Sequence, residues 1–239
     1  MTLLLPLLLA CGPKSTVPTA ALPDDDASVN WEREMMQLHM SEHFQRTTAA
    51  RDALVDGRLD DARTELAWLA GHETFPGEPA SYGSFLADMR TVAATGAAAR
   101  DAEGLAACIG GIGVTCAGCH QSLNVAPAIP GASGAVPDNT GGARGHMARY
   151  GWAADHLWIG LVKPDEASWT GGLAAIREPA FDPNDLGLPE EKVGAMAAYG
   201  LILTSMSEEE VGATDADGRA ELFGRVVASC AGCHEAVRQ

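Results

Sequence analysis

The segment AEGLAACIGGIGVTCAGCH, residues 102–120, is matched near the end of the chain by ADGRAELFGRVVASCAGCH, residues 216–234. The pentapeptide CAGCH is identical in the two copies, and the apolar residues before it recur at helical spacing. Each copy therefore predicts a helix that ends in the same five residues. The two motifs begin 114 residues apart, which is the length of a domain and too long for a solenoid repeat.

The duplication extends upstream, where His39-Met40 aligns with His146-Met147. Helical periodicity runs through both copies, and no sustained period-two alternation predicts strands. The predicted helices are 31–55, 59–71, 82–95 and 102–123 in the first copy, and 143–162, 166–176, 190–205 and 216–237 in the second. The expected fold class is therefore all-α, with two tandem four-helix bundles at 31–124 and 143–239. Residues 125–142, rich in proline and glycine, are predicted to form the linker.

The charge balance excludes one class of partner. The chain has 239 residues with 16 lysines and arginines against 32 acidic residues, so its net charge is −16. Such a charge repels phosphate backbones, so no nucleic-acid partner is expected. Charged protein partners are expected to be basic.

The N-terminal residues 1–30 are predicted to be a signal and a flexible tether. The sequence Leu8-Leu9-Ala10-Cys11 resembles the lipobox of bacterial lipoproteins, in which the signal is cleaved before the cysteine and that cysteine is acylated. The resemblance implies a lipid anchor on Cys11 that holds the protein at the periplasmic side of a membrane. Gly12 stands where inner-membrane lipoproteins often have aspartate, so the outer membrane is preferred. The alternative is an apolar stub with an incidental cysteine.

The spacing within CAGCH indicates covalent haem attachment. Cysteines three residues apart lie on one face of a helix, and the next histidine is within reach of the same flat ligand. Cys116 and Cys119 are predicted to form thioethers with a porphyrin, and His120 to bind the iron. Cys230, Cys233 and His234 are predicted to do the same, which gives two covalently attached c-type haems.

Three other interpretations of the paired cysteines are weaker. Zinc ribbons place their CxxC pairs about 15–20 residues apart, much closer than these two motifs. A thioredoxin-like pair follows a strand in a βαβ unit, and no strand is predicted before either motif. A structural disulfide does not explain why a histidine follows both pairs.

With the haem motif on the last helix of each unit, residues 31–239 resemble a tandem of class II cytochromes c, the cytochrome c-prime type of four-helix bundle. The segment REMMQLHMSEHF, residues 33–44, is similar to the first helix of that class, in which low-spin members carry a methionine ligand. The second copy departs from it, with Tyr150-Gly151 where the first has His43-Phe44. The resemblance also implies a possible homodimer.

The sixth iron ligand is expected from the inward-facing stripe of the first helix of each copy. Spacing places Met40 and Met147 on that stripe, and we predict both as ligands. Two alternatives stay open: the methionines are plain core residues, which leaves the iron five-coordinate, or His39 and His146 are the ligands. His43 is expected to line the first haem pocket or to pack locally, and His72 to be a helix-end residue.

The expected function is single-electron transfer in the bacterial periplasm, because an iron with both axial positions filled has no open site for substrates. The protein is then a carrier for redox partners and not an enzyme. Binding of nitric oxide or carbon monoxide is the alternative if an iron is five-coordinate. A dihaem peroxidase is a further alternative, although no distal acid–base constellation is apparent in the sequence.

Overall fold

A computed structural model describes residues 27–73, 80–125, 127, 129, 134–138, 142–177, 182–186, 188–208 and 215–238. Cys11 and the rest of the predicted signal lie outside these residues. The described chain is all-helical, as predicted, and contains no strand. The helices are α1 (Ala27–Val55), α2 (Leu59–Gly71), α3 (Gly83–Ala97), α4 (Ala102–Ser122), α5 (Ala143–Val162), α6 (Glu166–Arg177), α7 (Glu190–Glu208) and α8 (Ala216–Arg238), with 3₁₀ turns at Ala80–Tyr82 and Pro183–Leu186.

The helix bounds follow the sequence prediction closely. The ranges of α2 and α5 are as predicted, and the ends of the other helices differ by at most four residues. The largest difference is at α1, which begins at Ala27, inside the segment predicted to be a tether. The inward stripe of α1 is confirmed, since Thr47, Ala50 and Leu54 are buried.

The two copies share one hydrophobic core. Within each copy the helices pack in chain order, α1 to α4 and α5 to α8. Helix α1 also contacts α8, and α5 also contacts α4, so each copy extends its first helix onto the other. Leu66 and Ile109 of the first copy belong to the same buried cluster as Leu173 and Phe223 of the second. Burial of this continuous apolar surface is what holds the copies together.

The two helices that carry CAGCH pack directly against each other through a reciprocal glycine contact. A Cβ atom on Gly110 of α4 would lie 2.6 Å from the carbonyl oxygen of Ala220 on α8. At the equivalent position of α8, a Cβ on Gly224 would lie 3.3 Å from the carbonyl oxygen of Ala106. Any side chain at Gly110 would therefore force the helix backbones apart.

Trp158 of α5 joins the copies at a second point. Its ring is 1% exposed and stacks on Phe223 of α8 with centroids 5.5 Å apart. Its indole N–H donates to the Thr48 hydroxyl on α1 at 3.2 Å. One turn further along α1, Arg51 forms an ion pair with Asp155 at 2.6 Å. The first helices of the two copies are therefore linked by specific polar contacts as well as by the core.

Helix α4 is long and apolar enough to cross a membrane, but it packs against α3 and α8 here, and core helices of water-soluble proteins pass the same test.

In the predicted linker, the carbonyl of Pro137 accepts from Arg149 at 3.0 Å and that of Gly134 accepts from Trp152 at 3.3 Å. The described part of the linker is thus fastened to α5.

Both CAGCH helices begin with an aspartate N-cap. The Asp101 carboxylate accepts from the Gly104 backbone N–H at 2.8 Å, and Asp215 accepts from Gly218 at the same distance. We expect Asp101→Ala to lower the free energy of unfolding by about 1 kcal/mol, because it leaves an orphan helix N–H without its acceptor. Urea unfolding measures this. The exposed Asp88 within α3 is the control, and equal losses for Asp88→Ala and Asp101→Ala would contradict a capping role.

Candidate cofactor sites

The first CAGCH motif borders an apolar cavity of about 390 Å³. Cys116, Cys119 and His120 lie on the last turns of α4 and line one wall. The other walls come from α1, α3, α5 and the start of the linker. Their lining includes Met36, Met40, His43 and Phe44 from α1, Phe85, Leu86 and Met89 from α3, Trp158 and Val162 from α5, and Val125, Pro127 and Ile129 after α4. The structure therefore brings the predicted residues of the first site together.

The orientation of His120 is set by the other copy. Its Nδ1 lies 3.4 Å from the carbonyl oxygen of Val162, at the C-terminal end of α5. When Nδ1–H donates to that carbonyl, the lone pair of the imidazole is on Nε2, which is the arrangement found in metal-ligating histidines. Burial lowers the pKa of His120, so the ring favours the neutral form, which is the form of an imidazole that can ligate a metal.

Two predicted residues of α1 face the cavity. Met40 lines it, as its position on the inward stripe predicted, and so does His43 one turn later. Burial, together with His39, His72 and Arg90, lowers the pKa of His43 to about 3. The His43 ring is therefore neutral at physiological pH. His39 stacks on His72, with ring centroids 4.9 Å apart.

The second CAGCH motif lies on α8 and is surrounded by residues of α5 and α7. The Cys233 thiol donates to the Met196 sulfur at 3.3 Å. Tyr150 of α5 lies near both cysteines, and burial followed by these neighbours raises its pKa. The ring of Tyr199 packs on Gly232, as Phe85 packs on the equivalent Gly118 in the first copy. The aromatic contact from the third helix is thus part of the repeat.

The orientation predicted for Met147 is wrong. Met147 is 36% exposed, whereas the preceding His146 is only 8% exposed. Arg149 is also buried, and its Nε donates to the Ala175 carbonyl on α6 at 2.9 Å. This contact draws Arg149 into the interior. The buried face at the start of α5 therefore contains residues 146 and 149, each one residue before a position of the apolar pattern. Further along α5, Ala154, Leu157 and Leu161 are buried, in step with the apolar pattern.

The cysteines of both motifs are free thiols held in their protonated form. Burial, followed by the neighbouring cysteine, raises the pKa of Cys116 to about 12, and the same causes raise that of Cys230 to about 12. Burial also raises the pKa of Cys119 and of Cys233. Redox-active cysteines need a stabilised thiolate, which these buried environments do not provide.

The residues present fit a covalently attached haem at the first site. The cavity volume lies within the range of small-ligand pockets, and its walls are mostly apolar. Two thiols and an imidazole stand on one wall, and Met40 is provided from α1. At the second site the fit rests on the chemistry of the same donor set, Cys230, Cys233 and His234.

Comparison with protein-family models, with curated proteins and with solved structures gave no match.

Sequence reasoning missed two features of the first site. Trp158 and Val162 line it from the other copy, which no local pattern indicates. His39, His43 and His72 form a cluster in which one ligand nitrogen from each ring lies within 4.8 Å of the other two. The spacing of His39 and His43, four residues apart on a helix, was a visible signal. The approach of His72, the C-cap of α2, was not.

Proposed function

We propose that this protein is a dihaem c-type cytochrome that carries single electrons in the bacterial periplasm. In this proposal it consists of two tandem four-helix bundles, each with one haem attached to its last helix. The observation that carries the proposal is the pairing of the first CAGCH motif with an apolar cavity that Met40 enters from the opposite helix. The identical second motif at the end of α8 supports a second haem.

The chain's own residues supply attachment and ligation. Each cysteine would hold the haem through a thioether, formed by addition of its S–H across one porphyrin vinyl group without an oxidant or reductant. Protonated thiols, such as those of Cys116 and Cys230, carry the hydrogen that this addition needs. His120 and His234 would bind the iron, and donation from His120 Nδ1 to the Val162 carbonyl would leave Nε2 free to do so.

Electron transfer follows from the ligation of the first site. A haem held by histidine and methionine accepts and donates single electrons, and the methionine raises its reduction potential. Met40 is our candidate for that ligand. The apolar side chains from α1, α3 and α5 exclude water from the site, which lowers the local dielectric and further tunes the potential.

We also propose a class of redox partner and a cellular location for the protein. The net charge of −16 favours basic redox proteins as electron donors and acceptors. A lipid anchor on Cys11 would hold the protein at the periplasmic face of a membrane, preferably the outer membrane. A homodimer is compatible with the resemblance to class II cytochromes.

A second candidate function is binding of nitric oxide or carbon monoxide at the second haem. The exposure of Met147 favours it, because a methionine that points to solvent leaves the iron without that ligand. Tyr150, which lies near Cys230 and Cys233, would then line the open side of that site.

The deciding experiment is a pyridine haemochrome assay on protein made with the haem-attachment machinery, followed by optical spectra with and without carbon monoxide. We expect two haems per chain and a sulfur-to-iron charge-transfer band in the oxidised protein. Met40→Ala should weaken that band and let carbon monoxide bind the first haem. Met36→Ala, one turn earlier on the same cavity wall, is the matched control and should keep both properties. A chain without haem would overturn the proposal.

A further inference from the structure

Three histidines converge beside the first cavity. His39 and His43 are one turn apart on α1, and His72 caps the C-terminus of α2. One ligand nitrogen from each ring lies within 4.8 Å of the others. His72 Nε2 and His39 Nδ1 are 3.3 Å apart, a hydrogen-bond distance when one of the two nitrogens carries a proton that a metal would replace. A tetrahedral metal with nitrogen ligands at about 2.0–2.1 Å separates them by about 3.3 Å, so this pair already has the spacing of a metal site.

One of the three rings is buried with an unsatisfied nitrogen. His43 is 5% exposed, and its Nε2 has no hydrogen-bond partner among the residues that the structure describes. A buried polar atom without a partner is costly, and such atoms in native proteins often mark an ion or a functional contact. A metal ion ligated by His43 Nε2 would satisfy this nitrogen.

Neighbouring side chains hold His72 in place. The Trp68 ring stacks on it with centroids 4.1 Å apart, and the Arg46 guanidinium covers Trp68 at 4.7 Å. From α3, Arg90 Nε donates to the His72 carbonyl at 2.8 Å. The charge of Arg90 opposes a bound cation, so we expect a lower affinity than that of a closed four-ligand structural site.

We propose that His39, His43 and His72 form a binding site for one divalent transition metal of the zinc type. Three imidazoles suit zinc and copper better than magnesium or calcium, which prefer oxygen ligands. Three protein ligands leave a fourth coordination position open, as in catalytic zinc sites. The second copy has His146 and Tyr150 at the positions equivalent to His39 and His43, so the site belongs to the first copy alone. The proposal does not depend on haem attachment.

The test is zinc binding to the full-length, chelator-treated protein with its attached groups as produced. Isothermal titration calorimetry, with elemental analysis after dialysis, should give one zinc ion per chain. His39→Asn and His72→Asn should each weaken binding by about 100-fold or more, since even loss of an outer-shell partner costs about 10–100-fold. His156→Asn is the control, because it removes a buried histidine that packs on Trp152 of α5, and it should bind zinc as the wild type does.

Two results would overturn the site. One is a wild-type chain that binds no stoichiometric zinc and whose thermal midpoint does not rise with added zinc, because a ligand of the native state must stabilise it. The other is unchanged affinity in both His39→Asn and His72→Asn. The wild-type measurements decide the matter even if a variant does not fold. Zinc content is counted separately from haem content, so either proposal can fail without the other.

Discussion

A chain in which Cys116 and Cys119 are both replaced by serine is expected to carry one haem instead of two. Serine cannot form a thioether, so His120 would hold the first haem by coordination alone. That haem should be lost during purification under denaturing conditions. The haem count per chain, from the pyridine haemochrome assay, is the measurement. The remaining haem should belong to the second motif. Replacement of all four motif cysteines (Cys116, Cys119, Cys230 and Cys233) by serine should leave the chain without haem.

Two controls make this result specific. Cys108→Ser removes a free thiol of α4 that lies outside the CAGCH motif, and it should keep two haems. Cys230→Ser with Cys233→Ser should also leave one haem, but with the spectrum of the first site. Two haems in the Cys116 and Cys119 variant would contradict attachment at that motif.

Replacement of Gly110 by valine is expected to cause the second large effect, a loss of about 3 kcal/mol in the free energy of unfolding. A Cβ at Gly110 meets the Ala220 carbonyl at 2.6 Å, and this obstacle is backbone, which cannot rotate away. Overpacking usually costs about 1–3 kcal/mol, and separating α4 from α8 should place the cost at the upper end. Urea unfolding followed by far-ultraviolet circular dichroism measures it.

The matched control is a glycine in an open position. Gly194 lies inside α7, and a Cβ there would meet no atom within 4 Å. Gly194→Ala should therefore stabilise the protein by about 0.5–1 kcal/mol through helix propensity. Gly224→Ala, at the equivalent position of α8, should cost less than Gly110→Val, because its Cβ contact is longer. Wild-type stability in Gly110→Val would mean that the two helices do not approach this closely.

The sequence alignment of the two halves matches the residues at which α4 and α8 meet. Alignment of the motifs alone placed Gly110 with Gly224 and Ala106 with Ala220, and these four residues form the reciprocal contact between α4 and α8. The alignment could not indicate that they touch. Small residues allow a helix to approach a complementary surface closely, but they do not select that surface. Which helix becomes the partner depends on the arrangement of all eight helices.

One cause explains why the predicted orientation agrees with the structure for Met40 and differs for Met147. Apolar spacing placed Met40 on the cavity wall, where the inward face of α1 is set by hydrophobic burial. The same spacing misplaced Met147, because Arg149 finds buried carbonyl acceptors on α6 and in the linker. Here the hydrogen bonds to backbone groups far along the chain outweigh the local apolar pattern. The apolar pattern of α5 contains no sign of these hydrogen bonds.

The sequence by itself determined the helices and, within a few residues, their bounds, and it singled out the cysteines and histidines proposed to hold haem, because helical periodicity and CxxCH spacing are local properties of the chain. Only the tertiary structure decided how the helices meet. It brought Val162 to His120, packed α4 on α8, and carried His72 to within ligand distance of His39 and His43. These contacts join residues that are tens of residues apart, and their formation depends on burial of the whole core rather than on any single segment.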